Sequence, residues 1–254
     1  MQLPRNNFKH ALAAGERQIG LWSAMCSPIG TEIIGQSGFD WILLDMEHSP
    51  NELPQIVSQL QLLNASQSSA IVRTPWNDMV MVKRLLDIGA QSLLFPYIQN
   101  ADEARQAVKF TRYPNRGVRG VAADARASNY GRVKDYLGKA SDEICVLLQV
   151  ETSEAIDELE AIAAVDGVNG IFIGPADLSA SMGHLGNPNH ADVQAIIKGV
   201  AGKLSRLGMP SGILAVDEDV ARRYIEWGYD FVAIGTDTGL LVKAADSLRL
   251  RFKS

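Results

Sequence analysis

Eight short and almost wholly apolar runs punctuate the chain: Ile19–Ala24, Trp41–Leu44, Ala70–Val72, Ser92–Phe95, Cys145–Val150, Gly170–Ile173, Ser211–Leu214 and Phe231–Ile234. Most are continuous rather than alternating, the pattern of parallel strands covered on both faces. Between them apolar residues recur at helical spacing, over Glu32–Gln36, Leu53–Leu63, Met79–Ile88, Ala101–Thr111, Glu154–Ala163, Val193–Leu207, Val220–Trp227 and Leu240–Arg251. Gly38, Gly89, Gly208 and Gly228 stand where helices must end before a strand begins. Eight successive strand-then-helix units predict a single (β/α)8 TIM barrel over 1–254. The rival, a doubly wound open sheet, announces itself with a glycine-rich turn after the first strand, and Ala24-Met25-Cys26-Ser27-Pro28 is no such turn. One long irregular stretch, Arg112–Ser128, precedes a helix near Val133–Leu137, and loops of that length are usually functional.

In a parallel barrel, ligands bind where the strands end at their carboxyl edges, because the loops that follow converge there. The polar residues fall at those positions: Asp45, Glu47 and His48 after the second strand, Arg73 at the third, Gln149 and Glu151 at the fifth, Gly174-Pro175-Ala176-Asp177 at the sixth. Trp22 lies in the first strand and Leu214 ends the seventh. Neighbouring strand ends are about 5 Å apart, so Glu151 and Asp177 could meet on one divalent ion such as Mg2+ or Mn2+. Each carboxylate also reads as a first-turn acid of the following helix. Arg73, followed by Thr74-Pro75-Trp76, suits an oxyanion or a rim salt bridge. His48 suits a general base or a solvated loop position. His184 and His190 lack metal-ligand spacing and are expected as surface residues.

The 254 residues are 46% apolar and 21% charged, with 24 basic against 29 acidic side chains, a balance of −5. That composition excludes disorder and argues against nucleic acid or an anionic membrane as partner. No signal-like h-region and no apolar run near 20 residues is present, so a soluble cytoplasmic protein is expected. Cys26 and Cys145, far apart and both in apolar runs, read as buried, inert thiols. All nine lysines fall in helical or terminal stretches, leaving none for a Schiff base inside the barrel. There is no phosphate-binding G-x-x-x-x-G-K-[ST], no G-x-S-x-G and no H-E-x-x-H.

The segments Gly20-Leu21-Trp22, Gly38-Phe39-Asp40-Trp41, Asp45-Met46-Glu47-His48, Arg112-Tyr113-Pro114, Arg119-Gly120-Val121, Gln149-Val150-Glu151-Thr152 and Ile173-Gly174-Pro175-Ala176-Asp177-Leu178-Ser179 carry a likeness that runs from about Phe8 to Phe252. In these segments the chain resembles the metal-dependent 4-hydroxy-2-oxoheptane-1,7-dioate aldolases. The resemblance implies a class II pyruvate aldolase that cleaves 4-hydroxy-2-oxo acids to pyruvate, or a related 2-oxo acid, and an aldehyde. It implies a hexameric trimer of dimers with the last helix exchanged between partners. Glu151 and Asp177 would hold Mg2+, Mn2+ or Co2+. The backbone of Gly174–Asp177, with the amides of Ala176 and Asp177, would bind the pyruvate carboxylate, and Gln149 would orient the oxo acid. Arg73 would stand beside the 2-oxo oxygen and His48 would be the base, with Asp45 and Asp87 as supporting acids and Asp87 paired to His48. Trp22 and Leu214 would form apolar walls, and Val121 would come from a neighbouring subunit.

The stretch Val121–Ser128 departs from the family pattern and is a residue shorter, and the chain stops at Ser254 without the tail of some members. The first leaves the aldehyde open and the second bears on contacts between subunits. A lyase acting on an acyl-CoA thioester is the alternative enzyme, with Arg112, Arg116, Arg119 and Arg126 as its basic groove. A non-catalytic oxo-acid sensor is the third reading, disfavoured by the full set of acids, arginine and histidine.

Overall fold

The computed structural model describes residues 1–253. Eight parallel strands, β1 (Gln18–Ser23), β2 (Trp41–Asp45), β3 (Ser69–Arg73), β4 (Ser92–Phe95), β5 (Cys145–Val150), β6 (Gly170–Ile173), β7 (Ser211–Leu214) and β8 (Phe231–Thr236), pair in chain order, and β8 closes on β1. The (β/α)8 TIM barrel expected from the sequence is therefore the fold. The helices are α1 (Asn7–Ala13), α2 (Pro28–Gly35), α3 (Leu53–Leu63), α4 (Met79–Asp87), α5 (Ala101–Thr111), α6 (Tyr136–Lys139), α7 (Ser153–Asp157), α8 (Leu159–Ala163), α9 (Pro175–Ser181), α10 (Ala191–Leu207), α11 (Glu218–Glu226) and α12 (Asp237–Leu250).

Local chemistry sets most boundaries. Ser27, Asp78, Asn100, Thr152, Asp217 and Thr236 each accept a backbone N–H at a helix start, the usual work of an N-cap. Helix α2 begins at Pro28, four residues ahead of the amphipathic pattern, because Ser27 caps it and proline suits the first turn. The stretch expected as one helix over Glu154–Ala163 is two, α7 and α8, meeting at Glu158. Gly38, Gly89, Gly208 and Gly228 all take positive φ, between 66° and 96°, as helix exits into strands.

Two apolar layers result. One lies between barrel and helices; the other fills the barrel with Trp41, Leu43, Ile71, Leu94, Leu147, Phe172 and Phe231, plugged at the amino-terminal end by Phe8 and Leu12 of α1. Phe8 meets Phe231 edge-on at 5.6 Å and Trp41 at 6.1 Å. Glycine makes room for these rings from the neighbouring strand: a Cβ on Gly20 would lie 2.1 Å from Trp41, and one on Gly212 2.1 Å from Phe231. Gly20 is the register partner of Trp41, and Gly212 that of Phe231. The end of the barrel is thus solid, and only the carboxyl edge is free for chemistry. Cys145 is buried, and burial pushes its thiol up to about 12, as expected of an inert cysteine. Cys26 is not: it sits partly exposed at positive φ in the turn after β1.

Candidate active site

The strands change character in their last inward positions. Trp41 and Leu43 of β2 point into the barrel, and two residues on, in the same facing, comes Asp45. In β3 the series Ile71 leads to Arg73, and in β5 Cys145 and Leu147 lead to Gln149 and then Glu151. All four polar residues are buried, so each needs a partner.

Arg73 is held on three sides. Its Nε donates to Asp45 Oδ1 at 2.9 Å and its Nη2 to Asp45 Oδ2 at 2.7 Å, a two-pronged pair that the β2–β3 register sets side by side. Nη1 lies 2.7 Å from Glu47 Oε2. The guanidinium sits 4.7 Å over the Trp22 ring, whose Nε1 donates to Asp45 Oδ2 at 3.2 Å. Burial works to raise the Asp45 carboxyl, but the hydrogen bonds and charge of Arg73 more than offset it and hold the group below the usual carboxylate range. Asp45 also organises the following turn, taking the amide of Glu47 on Oδ1 at 2.9 Å and the Asn51 side chain on its carbonyl at 2.8 Å.

Facing this pair are Glu151 and Asp177, neither of which forms an ion pair among the described residues. Glu151 accepts the Tyr97 amide on Oε1 at 2.9 Å and the Gln149 side-chain amide on Oε2 at 2.6 Å. Burial, reinforced by the facing charges of Asp177 and Glu47, pushes the Glu151 carboxyl up to about 8 against those hydrogen bonds. Burial likewise raises Glu47 despite Arg73 and His48, with Asp45 and Asp177 adding to the rise. Three acids thus repel one another while the adjacent guanidinium is already engaged by Asp45 and Glu47. An all-oxygen donor set of this kind fits a hard divalent cation. Gly174 keeps the space open, since a Cβ there would lie 2.4 Å from Glu151 Oε2. Pro175 then starts α9, and its first intrahelical bond is Leu178 N–H to the Gly174 carbonyl, so the amides of Ala176 and Asp177 precede the ladder and have no acceptor within it.

The remaining sequence-predicted residues divide. Trp22 and Leu214 line the top of the barrel interior. His48 is at the rim with its side chain 65% exposed, Nε2 3.9 Å from Glu47 Oε1. Asp87 is not beside it. Helix α4 runs from the rim back to the amino-terminal end, so Asp87, its last residue, lies near the start of β4 and pairs with buried Arg119 at 2.9 Å. The expected His48–Asp87 pair therefore does not form within one chain. Val121 is exposed on the loop after α5, at that same far end. Sequence reasoning placed Glu47 at this edge but gave it no role, and passed over Tyr97, which acts through its backbone at φ 55° and leaves no side-chain signal. No lysine is among the buried charged residues described. A cavity of about 750 Å³ between Met1–Pro4 and Arg126–Tyr130, at the opposite end, holds none of these groups.

Residues 18–244 match the family described as HpcH/HpaI aldolase/citrate lyase. The chain belongs to this family. A relative from Klebsiella pneumoniae, named 4-hydroxy-2-oxo-heptane-1,7-dioate aldolase, is 52% identical over 97% of this chain and 94% of its own. A relative from an Enterobacter species, named 5-keto-4-deoxy-D-glucarate aldolase, is 50% identical over 98% of this chain and 97% of its own. The crystal structure of an HpcH/HpaI family protein from Burkholderia cenocepacia superimposes with a TM-score of 0.94 at 38% identity, covering 98% of this chain and all of that one. This HpcH/HpaI protein is an aldolase, a carbon–carbon lyase acting on small molecules.

Proposed function

We propose that this aldolase is a class II enzyme that reversibly cleaves 4-hydroxy-2-oxo acids to pyruvate, or a close 2-oxo acid such as hydroxypyruvate, and an aldehyde. The observation that carries the reading is Glu151, buried and facing Asp177 and Glu47 beside an already paired Arg73. Glu151 and Asp177 would hold the divalent ion, Mg2+, Mn2+ or Co2+. When bound, it supplies Lewis-acid stabilisation of the developing enolate charge, worth several kcal/mol. Around it the chain's own groups bind and orient. The Ala176 and Asp177 amides take the substrate carboxylate, as free N–H groups at a helix start do. Gln149, fixed through Glu151, orients the oxo acid. Arg73, aligned by Asp45 and Glu47, donates toward the 2-oxo oxygen. Trp22 and Leu214 exclude water on the apolar side. His48, exposed at the rim, takes the proton from the 4-hydroxyl, and in the reverse direction returns it.

Two residues complete the site only from a neighbouring copy. Asp87 and Val121 lie at the far end of their own barrel, so a role for either at His48 or in the aldehyde pocket requires an assembly, which we propose is the hexamer. Helix α12 supports exchange between partners: Leu240, Leu241, Val242, Leu248 and Leu250 are all exposed, an apolar surface that a lone helix leaves in water. Two free cysteines agree with work in a reducing cytoplasm. The thioester alternative is less well supported, because Arg119 is bound to Asp87 and Arg126 to the Ile88 carbonyl, while Arg112, paired with Asp166, and Arg116 line a separate pocket with Arg105 and Lys109.

The two relatives of nearly equal identity carry different substrate names, so the aldehyde must be measured. Pyruvate release should stop on chelation with EDTA, return with Mg2+, Mn2+ or Co2+, and resist borohydride. A cleavage panel over succinic semialdehyde, tartronic semialdehyde and lactaldehyde adducts then ranks the acceptor. EDTA-resistant turnover that borohydride inactivates would reverse the reading.

A further inference from the structure

Outside the barrel, the loop joining α9 to α10 gathers a second group of ligating side chains. His184 and His190 stack ring on ring, with centroids 3.5 Å apart and planes 15° apart. Both face Asp192, whose Oδ2 lies 3.7 Å from His184 Nε2 and 3.6 Å from His190 Nδ1. One ligand atom from each of the three falls within 4.8 Å of the others. The backbone builds this arrangement. Gly183 and Gly186 turn at φ 80° and 77°, and the His184 amide returns to the Ser179 carbonyl at 2.7 Å. The Asn187 amide closes on the His184 carbonyl at 2.9 Å and the His190 amide on the Asn187 carbonyl at 3.1 Å. His190 then caps α10, Nδ1 accepting the Asp192 amide at 3.3 Å.

We propose that His184, His190 and Asp192 form a second cation site, selective for a borderline divalent ion of the Zn2+, Ni2+ or Cu2+ kind. A tetrahedral ion with bonds of about 2.0–2.2 Å spaces its ligand atoms by about 3.3–3.6 Å. The two separations from Asp192 Oδ2 already lie near that value. Because an imidazole binds an ion close to its own ring plane, His190 must turn out of its stack on His184 and give up the cap bond to take the ion, and the half-exposed imidazoles leave the fourth position to water. Donor chemistry separates this site from the barrel's. Two imidazoles and one carboxylate favour late first-row ions, whereas the oxygen donors of Glu151 and Asp177 suit Mg2+. An ion here clips the α9–α10 loop to the start of α10. It also means that the enzyme takes up two ions per chain when loaded with Zn2+, against one with Mg2+.

The test titrates Zn2+ calorimetrically into the full-length enzyme with the barrel site saturated by Mg2+. Wild type should bind one Zn2+ per chain. His184→Gln, which leaves the α10 cap untouched, and His184→Gln with His190→Asn, where asparagine keeps a capping oxygen, should each weaken binding. The loss should exceed the ~10-fold that removal of an outer-shell partner alone costs. Both variants should retain Mg2+-dependent cleavage, which shows that they are folded. Pulsed electron paramagnetic resonance with one equivalent of Cu2+ should show imidazole nitrogens in wild type that the double variant lacks. Equal Zn2+ affinity in wild type and both variants, or nitrogen couplings unchanged by the double substitution, would overturn the proposal.

Discussion

Arg73 shows how a single side chain can be specified by geometry rather than by charge. A guanidinium presents a rigid fork that matches one carboxylate with two bonds and a second with the remaining edge. Asp45 and Glu47 take those edges at 2.7–2.9 Å, leaving the face over Trp22. Lysine keeps the charge but cannot bridge both acids. Arg73→Lys should therefore lower kcat by about 10²–10³, the scale of one lost charge-stabilising donor. Steady-state kinetics should show that loss while calorimetric Mn2+ affinity stays within a few-fold, and a variant of near-normal kcat would remove Arg73 from the oxyanion role. Gly174 makes the complementary case. The Cβ of Gly174→Ala would meet Glu151 Oε2 at 2.4 Å and Glu151 Cβ at 2.9 Å, so the carboxylate must swing and the backbone beside it must also shift. Mn2+ affinity should fall at least tenfold, comparable to disturbing an outer-shell partner, and the thermal midpoint should fall with it; unaltered affinity would mean that Glu151 is not the ligand.

At the scale of elements, the strands were legible because burial on both faces leaves no room for alternation, so each reads as an unbroken apolar run. The site was legible for the related reason that charged and amide side chains at inward positions gather at the open end of the barrel, which marks Asp45, Arg73, Gln149 and Glu151. What escaped was short or non-local. Helix α1 is seven residues with only Phe8 and Leu12 buried, too little periodicity to read, and its function as a plug depends on rings from β2 and β8. His184 and His190 are six residues apart across the turn at Gly186, a spacing that no helical or strand rule joins. The glycine–aromatic pairs belong to this scale too, because register alone places Gly20 against Trp41. Gly20→Ala should destabilise the barrel by about 1–3 kcal/mol, the usual cost of overpacking, read from urea unfolding. Trp41→Leu in the same background should recover part of that loss. If the two effects simply add, the predicted contact between them is not what sets the cost.

For the whole molecule, the decisive fact is that the polar groups sit at both ends of the barrel. His48, Arg73, Glu151 and Asp177 occupy one end, while Asp87, bound to Arg119, and Val121 occupy the other. A parallel barrel fixes this separation, because every helix returns the chain to the end opposite its strand's carboxyl edge. If Asp87 supports His48 as proposed, it does so across an interface, and the two residues of one functional site belong to different chains. His48→Asn and Asp87→Asn should each give an assembly with strongly reduced cleavage. When the two are coexpressed and assemble at random, a site needs an intact histidine from one chain type and an intact aspartate from the other. About a quarter of sites in a closed symmetric oligomer with such shared sites should then be whole. Cleavage by the purified mixed assembly should rise well above the sum of the two parents, toward that fraction of wild type. Mixed assemblies verified by mass spectrometry that show only the parental sum, or an Asp87→Asn enzyme of full activity, would place the partner of His48 elsewhere and leave Asp87 as an anchor for Arg119.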